Sequence, residues 1–163
     1  MKVRLSDAQL RYAVEIGKAR QRSAEEKRST SAFPEQWQGQ FADNHINAAC
    51  AELAVAVALG CKQTLGVDVY SVPDLLDTRI EVRWSRNRNL CKITPRDIEK
   101  KRIVIGTVGA APEIELLGWL EATDGPERGR RSERPPYCWF IHELAWERLE
   151  FLPLEQKTPS LFF

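Results

Sequence analysis

Histidine and cysteine are scarce in this chain: His45 and His142 are the only imidazoles, and Cys50, Cys61, Cys91 and Cys138 form no Cys-x-x-Cys pair. Widely spaced thiols with so few imidazoles do not make a zinc cluster, so reduced and mostly buried cysteines are expected. Long apolar runs are missing as well, and the opening residues "MKVRLSDAQLRYA" lack the apolar core and small-residue cleavage site of a secretion signal. No membrane part and a cytoplasmic location follow as expectations. There is no overall excess of either charge: Lys and Arg number 24, Asp and Glu 23, and the net charge is +1. A uniformly basic nucleic-acid-binding surface is thereby excluded, and no internal repeat points to a solenoid.

What is present is the make-up of a globular domain. Of 163 residues, 43% are hydrophobic, enough for one compact unit with a real core. We expect a single α/β (α+β) domain with a central mixed β-sheet flanked by helices. It divides into an N-terminal helix and loop at 1–42, a core at 43–151 and a tail at 152–163.

The near-zero net charge hides a switch of sign along the chain. From Asp43 to Asp77 the acids are Asp43, Glu52, Asp68, Asp74 and Asp77, with Lys62 the only base. From Arg79 to Arg102 the bases are Arg79, Arg83, Arg86, Arg88, Lys92, Arg96, Lys100, Lys101 and Arg102, against Glu81, Asp97 and Glu99. Such a local pattern matters more to a polyanionic partner than the sum does, although charge runs are commonly no more than a solvated face.

"LSDAQLRYAVEIGKARQRSAEEKRS" reads as a helix capped by Ser6, with Leu10, Val14 and Ile16 on its apolar side and a later part whose polar, basic composition is that of a mobile segment. "STSAFPEQWQGQF" reads as a loop. In "DNHINAACAELAVAVALG", Asp43 or Asn44 can cap a helix and Gly60 can end it, and its almost wholly apolar content predicts burial. Glu52 is the only charge in the body of that helix. A solvated helix face would carry further polar residues, so a buried, functional Glu52 is the better reading. Strand signals follow at "VDVYSV", "RIEVRW", "LCKI", "RIVIGTVG" and "IELLGWLEA", with a helical turn in "TPRDIEKK". "TDGPERGRRSERPPY" reads as a long exposed loop, and "HELAWERL" as a short amphipathic helix.

In "RIEVRW" the two-residue strand period puts Ile80, Val82 and Trp84 on the core face and Arg79, Glu81 and Arg83 on the other. Just upstream, "VPDLLD" allows a tight reversal that brings Asp74 or Asp77 beside Glu81. Adjacent carboxylates repel unless a cation joins them, and one or two carboxylates with water and phosphate oxygens is the ligand set that Mg²⁺ prefers. A neighbouring cationic side chain then suits a phosphodiester.

Pro73-Asp74 followed by Glu81-Val82-Arg83, after an apolar helix carrying Glu52, resembles the PD-(D/E)XK nuclease superfamily, most closely its small phage-type members. The resemblance spans roughly Asn44 to Trp146. It implies a restriction-endonuclease-like core and a metal-dependent DNA endonuclease acting on branched, nicked or phage DNA in replication, recombination or repair. By the same resemblance Asp74 and Glu81 bind Mg²⁺ (or Mn²⁺), and Glu52 orients water or a second ion. Many such enzymes act as homodimers, because two strands need two sites. Arg83 departs from the pattern, standing where the superfamily usually has lysine. Arginine stays protonated and cannot act as a base, yet it binds phosphate well. Lys92 on the next strand is the candidate to supply an ammonium, and His45, seven residues before Glu52, an auxiliary group on the same helix face. A nuclease fold kept as a non-catalytic DNA-binding or adaptor module is the alternative, and a protein-interaction module with no nucleic-acid role a third.

Arg79, Arg86, Arg88, Arg128, Arg130, Arg131 and Arg134 are the candidate DNA contacts, the last four from a Gly/Pro-rich loop suited to a phosphate backbone. Of the tryptophans, Trp37 in its polar loop has the best claim to stack on an unpaired base. The end "QKTPSLFF", with Leu161 and Phe162, resembles the short peptides that bind sliding clamps, with intramolecular packing as the competing account.

Overall fold

A computed structural model describes residues 1–28, 38–63, 72–133, 135 and 137–152. The order is β1 (Lys2–Arg4), α1 (Asp7–Arg28), α2 (Gln38–Leu59), β2 (Ile80–Ser85), β3 (Cys91–Ile93), α3 (Pro95–Glu99), β4 (Ile103–Ala110), β5 (Glu113–Glu121), α4 (Gly125–Arg128), β6 (Gly129–Arg131) and β7 (Trp139–Ile141). One sheet has the order β1-β5-β4-β2 and a smaller one β3-β7-β6. In the larger sheet β2 runs parallel to β4, while β5 is antiparallel to both β4 and β1. The expected mixed sheet with helices is therefore present.

The Ser6 cap is a reciprocal box: the Gln9 N–H donates to Ser6 Oγ, and the Ser6 N–H donates to Gln9 Oε1 at 2.9 Å. From there α1 continues without a break to Arg28. α2 begins at Gln38, upstream of the expected Asp43 or Asn44 cap. Asp and Asn are only weakly unfavourable inside a helix, so packing overrides their capping preference. Gly60 does end it, at φ 64°. The two helices touch closely at Gly17, where any Cβ would lie 2.5 Å from Ile46 Cα.

α2 lays Ala49, Cys50, Ala51, Ala54, Val55 and Ala56 against Ile80 and Val82 of β2, Ile103 and Ile105 of β4, and Ile114 and Leu116 of β5. Small alanines let the helix backbone sit low on the sheet, which brings Glu52 near β2. A second core lies on the opposite face, where Val104 and Leu120 meet Cys91, Ile93, Ile141 and Trp146. The register slips between Gly106 and Thr107. This bulge flips the phase of β5, so that Ile114 and Leu116 face the helices while Leu120 faces the small sheet. Gly106 is required here, because a Cβ would fall 2.5 Å from Trp146 Cζ2.

Two expectations about the C-terminal part need correction. "HELAWERL" forms no amphipathic helix but single 3₁₀ turns at Glu143–Ala145 and Leu149–Phe151, with Trp146 extended between them. Burial of Trp146 against Gly106 and the bridge of Glu147 to Trp119 hold that stretch open. "TDGPERGRRSERPPY" is not one long loop: α4 and then β6 form within it, and β6 pairs with β7, a strand the sequence reading did not contain. An edge strand tolerates the charges that made β6 look like a loop. The "VDVYSV" strand signal falls largely on residues 64–71, outside the described residues.

The four cysteines are free, three of them buried. Among the described residues no helix is long and apolar enough to cross a membrane.

Candidate active site

A tight reversal between α2 and β2 delivers the first acid. The Leu76 N–H donates to Lys62 O, the Thr78 hydroxyl donates to Leu75 O, and Asp77 takes φ 55° at the bend. Asp74 returns to β2, its N–H donating to Ile80 O while its Oδ2 accepts the Val82 N–H at 2.7 Å. Asp74 rather than Asp77 is thereby set beside Glu81. Asp77 is exposed at the turn and does not line the cavity described below.

On β2 the alternation holds, with Ile80 and Val82 buried and Glu81 and Arg83 half-buried on the opposite side. Arg83 Nη2 lies 3.2 Å from Glu81 Oε1 and 2.5 Å from Asp97 Oδ1. Asp97 is almost fully buried, and its other oxygen accepts from the Thr94 N–H and hydroxyl, both at 2.8 Å. It therefore caps α3 and fixes Arg83 at once. Burial works against the charge on Arg83, but Asp97 and then Glu81 outweigh it and raise its pKa further.

Glu52 is reached from the other side. Arg20 of α1 clasps it in a bidentate pair, Nη1 to Oε1 at 2.5 Å and Nη2 to Oε2 at 2.8 Å, and Gln63 Nε2 adds a bond at 2.9 Å. Both partners are largely buried, the Arg20 side chain 15% exposed and that of Glu52 8%.

Arg20 and Glu52, with Asp74, Glu81, Arg83 and Asp97, line one cavity of about 530 Å³. Its acids are Glu52, Asp74, Glu81 and Asp97, and its bases Arg20, Arg83, Lys92, Arg96, Lys100 and Arg102, with His45 and Thr94 beside them. Burial, then the charges of Glu52 and Glu81, push the Asp74 carboxyl well above its ordinary range. Glu81 is raised too, chiefly by burial, with Arg83 opposing and Asp97 adding to the rise. Arg102 Nε stands 4.0 Å from Glu81 Oε2, whereas no basic side chain among the described residues forms an ion pair with Asp74.

That imbalance bears on whether a divalent ion fits. No group of three His, Cys, Asp or Glu among the described residues is set to hold one, and Glu52 gives its oxygens to Arg20 and Gln63. Asp74 and Glu81, however, offer hard oxygens in a corner where burial already disfavours their charge. One or two carboxylates is the usual protein share of a Mg²⁺ site, so the pair fits and the triad does not.

The cavity brings together Glu52, Asp74, Glu81, Arg83, Lys92 and His45 among the residues singled out in the sequence. The arginines expected to touch DNA lie elsewhere and are mostly engaged. Arg79 donates to Lys101 O and Glu121, Arg88 bridges Glu115 and Glu143, and Arg128 pairs with Glu147 at 2.5 Å. Arg86 is exposed beyond the end of β2. Arg130 and Arg131 lie on β6, over the Phe140 and Tyr137 rings. Arg134, Trp37, Leu161 and Phe162 fall outside the described residues. The cavity's own cations, Arg20, Arg96, Lys100 and Arg102, were not assigned to it from sequence, nor was Asp97. The Thr94-to-Asp97 capping spacing was the available signal for Asp97; for Arg20 it was the helical period, which sets a lone cation on the apolar side of α1, four residues after Ile16.

No family model, curated protein or solved structure matches the chain.

Proposed function

We propose that this chain is a metal-dependent DNA endonuclease with a restriction-endonuclease-like core, hydrolysing phosphodiester bonds of branched or phage DNA at the cavity between α2 and β2. The observation that carries the reading is the convergence of Asp74 and Glu81, from a turn and a strand, in a cavity that is also lined by six basic side chains, Arg20, Arg83, Lys92, Arg96, Lys100 and Arg102. Asp74 and Glu81 would hold the Mg²⁺ or Mn²⁺. When bound, such an ion supplies Lewis-acid stabilisation and a more acidic water.

The chain's own groups do the rest. Arg83, held by Asp97 and Glu81, presents a permanent cation to the phosphate and cannot take a proton from water. Arg96, Lys100 and Arg102 attract the polyanion, and Arg20 holds the Glu52 side chain in place on the α2 wall of the cavity. Plasmid and branched DNA incubated with purified protein in Mg²⁺ or Mn²⁺ test the reading. Nicked or linear product that disappears in Asp74→Asn and Glu81→Gln supports it, and cutting that survives both overturns it.

A second reading is a DNA-binding or adaptor module without catalysis. The ion pairs of Glu52 with Arg20 and of Glu81 with Arg83 favour it, since carboxylates already neutralised by arginine have less need of a metal. It predicts salt-sensitive DNA binding with no product in any metal.

A further inference from the structure

The small sheet has no part in the chemistry proposed above, yet its outer face reaches the cavity at Lys92. In the register β3-β7-β6, Lys92 stands opposite Phe140, and Phe140 opposite Arg130. Directly opposed residues of antiparallel strands project to the same side. The flanking residues Cys91, Ile93 and Ile141 are buried in the second core, so Lys92, Phe140 and Arg130 form the outer row. At one end Lys92 lines the cavity. At the other, roughly 10 Å away across two strand spacings, Arg130 sits on the exposed edge strand with its guanidinium carbon 5.5 Å from the Phe140 ring centroid. The next residue, Arg131, paired with Trp139 and so turned to the other side of β6, lies 4.5 Å from the half-exposed Tyr137 ring.

The ion-pair pattern separates this row from three of the arginines that were candidate DNA contacts. Arg79, Arg88 and Arg128 each pair with a glutamate. Lys92 and Arg130 have no carboxylate partner among the described residues. A lysine, an aromatic ring and an arginine in a row, leading out of a cationic cavity, match a flexible polyanion that offers flat apolar faces. Bases in a duplex are stacked inside and cannot lie on such a ring, whereas unpaired bases can, with the guanidinium plane extending the platform.

We propose that Lys92, Phe140 and Arg130 form a single-strand track, which leads an unpaired stretch of nucleic acid into the cavity. The proposal rests on the nuclease reading of that cavity and adds to it the class of substrate: DNA with a single-stranded arm or flap. Lys92 takes the phosphate nearest the cavity, the Phe140–Arg130 platform stacks a base, and Arg130 neutralises the phosphate beyond it.

Binding measured without cleavage tests the track separately from the chemistry. The probe is a fluorescein-labelled oligothymidine strand, followed by anisotropy in EDTA, with a blunt duplex of equal length as comparison. Phe140→Leu retains apolar bulk while removing the π-face, so it guards against a mere folding defect in Phe140→Ala. Both variants are expected to weaken single-strand binding on the order of tenfold, the loss of one stacked base, and to change duplex binding less than about twofold. Arg130→Ala is expected to lower the slope of log affinity against log salt by about 0.7, one phosphate contact on a single strand. Phe140 variants that bind the single strand like the parent overturn the track and leave the nuclease reading standing. If they weaken binding while the parent cuts no DNA in any metal, the nuclease reading falls and the track survives. Equal loss on duplex and single strand assigns the face to duplex DNA and overturns the proposal, as does failure to bind any nucleic acid.

Discussion

Replacing Arg20 by methionine removes the cation from Glu52 while keeping most of the side chain's apolar reach. Breaking a buried pair from one side strands a charge, typically costing about 3–5 kcal/mol. Gln63 still donates to Glu52 at 2.9 Å, and the open cavity admits water, so the lower end, about 3 kcal/mol, is appropriate. For a domain of this size each kcal/mol lowers Tm by about 2–4 °C, so a fall of roughly 6–12 °C is expected. Replacing both partners by apolar residues of similar volume, as in Arg20→Met with Glu52→Leu, should recover much of the loss, because neither charge is then stranded. Urea titrations of the four proteins give the coupling energy directly. A single-variant cost below about 1 kcal/mol, the range of an exposed pair, or strict additivity in the cycle, would refute the view that Arg20 is the built-in countercharge of Glu52.

Asp97→Asn should cost roughly 2–3 kcal/mol, a charged hydrogen bond to Arg83 plus part of a helix cap. It should also lower cleavage more than DNA binding, read by comparing rates at saturating DNA. Asp74→Asn should alter the pH profile of metal-free protein. Burial and the charges of Glu52 and Glu81 raise Asp74 above its ordinary 3.8, so the folded state holds the proton more tightly. Stability is then greatest below that ordinary value and declines as pH climbs towards the folded one. Glu81 shares the sign, so urea melts in EDTA should show the variant with a shallower decline that does not vanish. Gly106→Ala drives a methyl group to 2.5 Å from the Trp146 ring and should cost about 1–3 kcal/mol by overpacking, seen as a lower urea midpoint. Cys50 and Cys91, both pushed up to about 11 by burial, should react with thiol reagents only after denaturation.

Much of the site's local geometry was legible because it rests on short-range rules. Strand alternation fixed the sides of Glu81 and Arg83, a Pro-Asp turn offered the reversal, and an isolated Glu among alanines marked the buried face of α2. What remained hidden depends on distant contacts. Arg20 meets Glu52 across 32 residues; the helical period sets Arg20 four residues after Ile16 and seven after Ala13, on the apolar side of α1 and away from Arg11 and Arg22, but it does not name the partner. The choice between Asp74 and Asp77 was decided by bonds to Lys62 and Val82 that only the folded turn brings together. Electrostatics misled most where composition stood in for position: Arg79, Arg88 and Arg128 looked available for DNA, yet each found a glutamate brought close by the fold. β7 was missed because three residues between a Pro-rich stretch and a turn give too short a window for a period of two.

The proposed chemistry turns on whether Asp74 and Glu81 together hold a divalent ion. Crystals grown with Mn²⁺ and measured near its absorption edge test it most directly. An anomalous peak is expected at coordination distance from a carboxylate oxygen of each residue, absent in Asp74→Asn. Density that instead shows Glu81 still closed on Arg83, with no peak beside Asp74 in saturating Mn²⁺, would contradict it.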